Sequence, residues 1–272
     1  MRSNLVRRLA LAAMVCASAT PVAFAQTINH ETRFSVRFGG VEIGRAIFDI
    51  SFDEKTYELN GSGNTTGLVE WLAPATGSFT SRGLLDANRP LPQIHKVSLK
   101  ESKKAEESVQ LSFSGNAVSD VKIVSAKKRV RAAPKYVPVE ASHMAAVMDP
   151  VSALIVPVSD TDAGNGVKVC NQRFPVFDGE TRYDIQLSYK TTSPVKTAGY
   201  NGYAYVCQMR YIPVAGHKKD HRSVREMAAN KNMDIWLAPM AGLSVFTPIQ
   251  IRVGTKYGRF VAQPDYFGPK VN

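Results

Sequence analysis

Residues 33–59, RFSVRFGGVEIGRAIFDISFDEKTYEL, decide the fold class, because apolar residues recur at every second position along most of the stretch. Phe34, Val36 and Phe38 alternate with polar residues, then Ala46, Phe48, Ile50 and Phe52, then Tyr57 and Leu59. Gly39-Gly40 and Asp53-Glu54-Lys55 break the runs. Successive strand side chains point to opposite faces, so a period of two marks half-buried strands, and a meander is predicted. The same period returns at Val97 and Leu99, at Val109, Leu111 and Phe113, and at Val121 and Ile123, with Gly115-Asn116 as a hairpin turn. It continues at Tyr183, Ile185, Leu187 and Tyr189, at Tyr203, Tyr205 and Cys207, and around Gln250–Val253 and Arg259–Ala262.

Helix signals are few. Asp149-Pro150 reads as an N-cap followed by Pro at the first helical position, and Val151, Leu154 and Ile155 fall on one face before Pro157 stops the turn. The sequence WLAP occurs twice, at Trp71–Pro74 and Trp236–Pro239. Leu68, Trp71 and Leu72 have helical spacing, whereas Met233, Ile235 and Leu237 alternate like a strand, so the copies are expected in different structures. In both, Pro ends an element and Trp-Leu is expected to pack on the core, which makes the motif punctuation rather than a repeat.

The chain's N-terminus predicts export. Arg2, Arg7 and Arg8 precede the apolar run Leu9–Ala17, and Ala23-Phe24-Ala25 is a small-x-small cleavage signal. Residues 1–25 are read as a cleaved signal peptide and residues 26–272 as one β-rich periplasmic domain, with no stable membrane span. With 44% hydrophobic and 21% charged residues the chain can bury a core. Its formal charge of +11 falls to +8 when the three arginines of residues 1–25 are removed. In an exported protein that excess favours an anionic surface over nucleic acid, for which no motif is present.

Two cysteines remain after cleavage, Cys170 and Cys207, and an even pair in an oxidising compartment reads as a disulfide. Cys170 is placed on a strand over Val167–Phe174, Asp178-Gly179 makes the hairpin into Arg182–Tyr189, and Cys207 lies on the strand after that. Three strands paired in that order would hold the outer two roughly 9–10 Å apart, beyond the ~7 Å a disulfide spans. Either the two cysteine strands are neighbours, or the sheet curls. The expected fold is thus mainly β: a strongly curled antiparallel sheet, β-spiral or open-barrel-like, with one or two short helices.

Candidate chemistry is sparse. His217 and His221, with Asp220 beside them, are too few for zinc and are separated by lysines, so no metal is expected. Asp160–Gly166 begins like a calcium loop, but Asn165 takes the glycine position and Asn171 the glutamate position; Asn165-Gly166 reads as a turn into a strand. No nucleophile elbow, metalloprotease helix, phosphate loop or dinucleotide fingerprint occurs, so neither enzyme activity nor a cofactor is expected. Tyrosines at alternating positions, Tyr203, Tyr205 and Tyr211 with Tyr183 nearby, could line a concave wall, and Tyr203, Tyr205, Tyr211, Trp71, Trp236 and His217 are the candidate binding residues, while Tyr183 belongs to the structural motif. Lys127–Arg129 and Arg131, with Pro134 and Pro138, read as a linker between halves of one sheet system.

Asp149-Pro150-Val151-Ser152-Ala153-Leu154, Cys170, Val176-Phe177-Asp178-Gly179 with Arg182-Tyr183-Asp184, Cys207, and Tyr211-x-Pro213-x-x-Gly216-His217 together resemble an exported proteobacterial family, domain of unknown function 3108. More distantly the chain is similar to alphaproteobacterial periplasmic envelope-integrity proteins. That resemblance implies a spiral β-sheet with a disulfide and a role in envelope maintenance, and no catalytic residue. Physically, Asp149 would cap the short helix, Asp178-Gly179 would turn the hairpin, and Arg182 would pair with Asp184. A non-enzymatic scaffold binding a lipid, lipoprotein or envelope protein partner is the expected function. An envelope hydrolase with a site assembled from distant strands is the alternative.

Overall fold

The computed structural model describes residues 27–53, 55–86, 89–102, 104–125 and 135–271. The signal-peptide expectation and the basic stretch 127–131 lie outside the described residues. The N-terminal half is a meander of β1 (Ile28–Phe38), β2 (Val41–Asp53), β3 (Thr56–Thr65), β4 (Ala75–Asp86), β5 (Arg89–Glu101), β6 (Glu107–Ser114) and β7 (Ala117–Val124), with a six-residue helix α1 (Gly67–Leu72) between β3 and β4. The C-terminal half carries β8 (Val156–Pro157), α2 (Gly166–Cys170), β9 (Arg173–Phe177), β10 (Arg182–Thr197), β11 (Tyr200–Ala215), α3 (Arg222–Ala229), β12 (Met233–Pro239), β13 (Val245–Thr255) and β14 (Gly258–Pro269). All of these strands join one antiparallel sheet in the order β7-β6-β5-β4-β3-β2-β1-β14-β13-β12-β11-β10-β9, with β8 branching from β13.

Each half is thus a run of sequence-neighbour hairpins, and one non-local pair, β1 on β14, joins them. The predicted turns are where the glycines put them: Gly39 and Gly40 both have positive φ, at 58° and 92°, as a tight two-residue turn between β1 and β2 requires. The sheet rolls up on itself. Along β9, Phe174 and Val176 face one way, into a core with Leu187, Tyr205, Leu237 and Phe246. Phe177 faces the other way and packs with Leu111, Val109 and Val121 on the inner side of β6 and β7. One end of the sheet therefore lies inside the other, which is an open spiral rather than a closed barrel.

Two expectations change. Cys170 is not on a strand but ends α2, because the Asn165 side chain accepts hydrogen bonds from the Val167 and Lys168 N–H groups and caps a helix there. So Asn165-Gly166 starts a helix, not a strand. β9, β10 and β11 do pair in sequence order, yet α2 lies across β10 and β11, so Cys170 reaches Cys207 with a Cα separation of 5.4 Å. The helix comes this close because its first residue is glycine: a Cβ on Gly166 would lie 2.5 Å from the Tyr189 ring and 2.6 Å from that of Tyr205. The helix expected after Asp149-Pro150 is a single 3-10 turn, Ser152–Leu154. It stops early because Val156 and Pro157 leave it to pair with β13, so Pro157 sits in β8 instead of ending a helix.

Candidate functional site

The inner face of the N-terminal meander is built of cross-strand rows, and the register gives their composition. One row runs Ile50, Leu59, Ser81, His95, Leu111. It is covered by the segment carrying Val151 and Ile155 and by Met240 and Val245. Beneath that cover lies a buried polar latch. Asp149 Oδ1 accepts from the Val151 and Ser152 N–H groups, each at 2.9 Å, while Oδ2 accepts from the hydroxyls of Ser81 at 2.9 Å and Ser152 at 2.5 Å. Tyr57 Oη lies 2.6 Å from Ser152 Oγ, and His95 Nδ1 comes within 3.2 Å of Asp149 Oδ1, an ion-pair distance not aligned as a hydrogen bond. Burial holds the His95 imidazole below its ordinary pKa, against the opposing pull of the Asp149 carboxylate. Both serine hydroxyls are held by the carboxylate, neither pairs with His95, and Ser81, Ser152 and Asp149 are wholly shut from solvent. The group has the residue types of a hydrolytic triad and the wiring of a clamp between β4, β5 and the 3-10 turn.

The next two rows are uncovered among the described residues. Phe48, Gly61, Phe79 and Val97 form one, and Ala46, Gly63, Gly77 and Leu99 the other. They floor an open trough of about 530 Å³ whose wall is almost wholly apolar. Its depth comes from the glycines, which stand at three inward positions where the alternation would put side chains. Phe79 leans into the space above Gly61, where a Cβ would meet its ring at 2.1 Å. Phe34, Phe48 and Phe79 follow edge to face, at centroid distances of 5.3 and 4.9 Å. At the open end, Thr65 and Ala75 flank α1, whose Leu68, Trp71 and Leu72 are all exposed, Trp71 by 79%. The expectation that both Trp-Leu pairs pack on the core is therefore corrected for the first: α1 is too short to lay a face on the sheet. Trp236, on β12, is buried as expected.

The tyrosines expected to line a concave wall do not form one. Tyr205 is buried under α2, its hydroxyl donating to the Ala163 carbonyl at 3.2 Å, and burial pushes its phenol up to about 12. Tyr203 packs beside it at 5.2 Å. Tyr183 and Tyr211 meet at 5.1 Å near the other end of the β10–β11 hairpin. Asp178 turns the β9–β10 hairpin, accepting from the Glu180 and Thr181 N–H groups with Gly179 at φ 98°. Arg182 holds Asp184 at 2.5 Å, and Arg173 grips the same carboxylate from β9. Pro150 follows Asp149 into the latch. His217 joins a backbone pairing with Val137, and His221 begins α3 with its Nδ1 2.7 Å from Ser223 Oγ. Among the described residues no three His, Cys, Asp or Glu side chains cluster as metal ligands, and no helix is long and apolar enough to cross a membrane.

Nothing in the apolar spacing announces the trough; its signal is in the glycines, because Tyr57, Leu59, Gly61, Gly63 continues the period of two with side chains removed. The latch had a partial signal in His95, which extends the alternation of Val97 and Leu99, whereas Ser81 lies on β4, a strand that the apolar spacing did not predict.

No curated protein matches the chain significantly. Among solved structures it is similar to the beta-barrel-like protein of domain of unknown function DUF1849 from Brucella abortus, at 10% identity and a TM-score of 0.56, over 91% of this chain and 100% of that one. That likeness is one of fold. Residues 33–263 match the family described as Protein of unknown function (DUF3108), a span that runs from β1 to β14 and takes in the trough, the latch and the disulfide. The chain belongs to the DUF3108 family.

Proposed function

We propose that this protein is a non-catalytic scaffold of the cell envelope that holds an apolar chain, from a lipid or an acylated protein, in the trough over β2–β5. The observation that carries this reading is the pair of uncovered inner rows. A sheet face that continues the core in composition, and is left open by the segment that covers its neighbour, exposes contiguous apolar surface of the kind that marks a binding site. The glycines deepen it without adding polar groups, so selection rests on burial of apolar area, at ~25 cal/mol per Å². The exposed Leu68, Trp71 and Leu72 stand where such a chain would enter. The hydrolase alternative would draw on Ser81, His95 and Asp149, and the sealed wiring of that group weighs against it. Expected export, from the residues ahead of Gln26, puts the protein where acyl chains are handled.

The test is solution mapping with a doxyl-labelled fatty acid. Line broadening should concentrate on the methyls of Val36, Ile43, Val97 and Leu99. Broadening centred on the tyrosines of β10 and β11, or spread evenly over the surface, would overturn the assignment.

A further inference from the structure

The outer face of the C-terminal half carries a second recess, of opposite character. Ile235 and Leu237 pack into one core along β12, so Asp234 and Trp236 lie on the sheet's other face, where Trp236 is buried with Ala204, Val206 and Ile249 and Asp234 is half-buried. Arg252 of β13 lies directly across from Asp234 in register, and Arg259 projects from β14 close by. Lys190, the extra residue of the β10 bulge between Tyr189 and Thr191, and Lys231, in the loop before β12, complete the rim. Together they line a space of about 540 Å³, at whose edge Gly254 lets Asn232 pack close, since a Cβ there would lie 2.9 Å from the Asn232 Cβ.

The charges in this recess are unequally satisfied. Lys190 Nζ donates to Asp234 Oδ2 at 2.8 Å, which partners one oxygen of that carboxylate and leaves Oδ1 buried without a hydrogen-bond partner among the described residues. Arg252 faces Asp234 but forms no ion pair with it. Its guanidinium lies instead 4.7 Å from the Trp236 ring centroid, and its Nε is buried without a hydrogen-bond partner among the described residues. Lys231 and Arg259 likewise make no ion pair among the described residues. Three cations from a loop and two strands thus converge on a partly enclosed space, one of them fixed against an aromatic face with a donor unspent. Partial enclosure strengthens their attraction for an anion, and a stacked guanidinium presents the planar fork that suits phosphate oxygens.

We propose that this recess binds a phosphate group, as a free phosphorylated solute or as a phospholipid headgroup, with Arg252 as its oriented donor and Lys231 and Arg259 as flanking cations. It stands apart from the trough, on the other face of the sheet and in the other half of the chain, and it does not depend on the trough being a lipid site.

Titration of the chain from Gln26 with inorganic phosphate at low ionic strength, followed by amide NMR, is the test. Saturable shifts are expected at Lys231, Asn232 and Gly254. Arg252→Ala and Arg259→Ala should each weaken binding at least tenfold and Lys231→Ala about threefold, while Lys122→Ala, on β7, should leave it unchanged. Because Lys231 and Arg259 are exposed, their variants test the site even if loss of the Arg252 stack perturbs the fold. Vesicles of phosphatidylcholine, with and without phosphatidylglycerol, separate the sources. Selective binding to the anionic vesicles, lost in Arg259→Ala, assigns a lipid headgroup, and saturation by phosphate without vesicle preference assigns a soluble ligand. Absence of saturable shifts in the recess, or shifts that the Arg259 and Lys231 variants do not weaken, overturns the proposal.

Discussion

Filling the trough from its floor should abolish binding without unfolding the protein, and Gly77→Leu is the substitution that does so. Gly77 is an inward position of β4, in register with Gly63 and Leu99, and it is not among the residues with positive φ. A Cβ there would meet nothing nearer than the Ser98 carbonyl oxygen at 3.5 Å, an ordinary contact. The backbone therefore accepts a side chain, and stability should hold or rise by about 0.4–1 kcal/mol as the unfolded chain loses freedom. The four added carbons occupy space that four ligand methylenes would otherwise fill. At ~0.8 kcal/mol per buried methylene that forfeits about 3 kcal/mol, or roughly a hundredfold in Kd. A fluorescent long-chain acyl probe, titrated against both proteins with urea unfolding measured in parallel, reads both quantities. Binding within about twofold of the parent would refute the reasoning, because the trough would then not be where the chain lies. Gly61→Leu is the instructive contrast, since its Cβ would collide with the Phe79 ring and stability should fall.

Four further outcomes are expected. Cys170→Ser and Cys207→Ser should each cost about 3–4 kcal/mol under oxidising conditions, from the chain entropy of a crosslink spanning 37 residues, and the double variant should melt with the singles. Asp149→Ala strands two backbone N–H groups and two hydroxyls in the latch and should cost at least about 3 kcal/mol in urea unfolding. His30 is buried edge-on to Phe267 at 4.2 Å, and desolvation lowers its pKa to about 4. Its unfolded form takes up the proton first, so stability is full above about pH 6.5 and falls by up to about 3 kcal/mol towards pH 4; His30→Gln should flatten that limb of the urea midpoint against pH. Trp71→Ala, at a ring 79% exposed, should change the unfolding free energy by less than about 0.5 kcal/mol.

The strands and most hairpins were legible because their information is local: alternation at Phe34–Phe38 and Ile50–Leu59, two glycines at a turn, Asp178-Gly179 at another. The pairing of β1 with β14 is not written in either segment, since both are merely apolar every second residue, and closure between them depends on how the whole sheet twists. Cys170 shows a local signal overruled by another, as valine-rich spacing suited a strand while the Asn165 side chain, two residues from the Val167 N–H, capped a helix. Trp71 was misplaced because residue type says that tryptophan is usually covered, whereas α1 has about one and a half turns and no neighbour among the described residues to cover it. The trough was hidden for a related reason. Which rows of an apolar face stay open is decided by a remote segment, here Val151–Ile155, and no spacing within β2–β5 records where that segment stops.

The central claim is that an apolar chain occupies the trough, and native against denaturing mass spectrometry of the chain from Gln26, purified without detergent, tests it most directly. A reproducible lipid-sized adduct in the native spectrum, lost on denaturation and absent from Gly77→Leu, is the predicted result. An adduct that persists in Gly77→Leu, or a parent protein that stays bare after incubation with excess long-chain fatty acid, would contradict it.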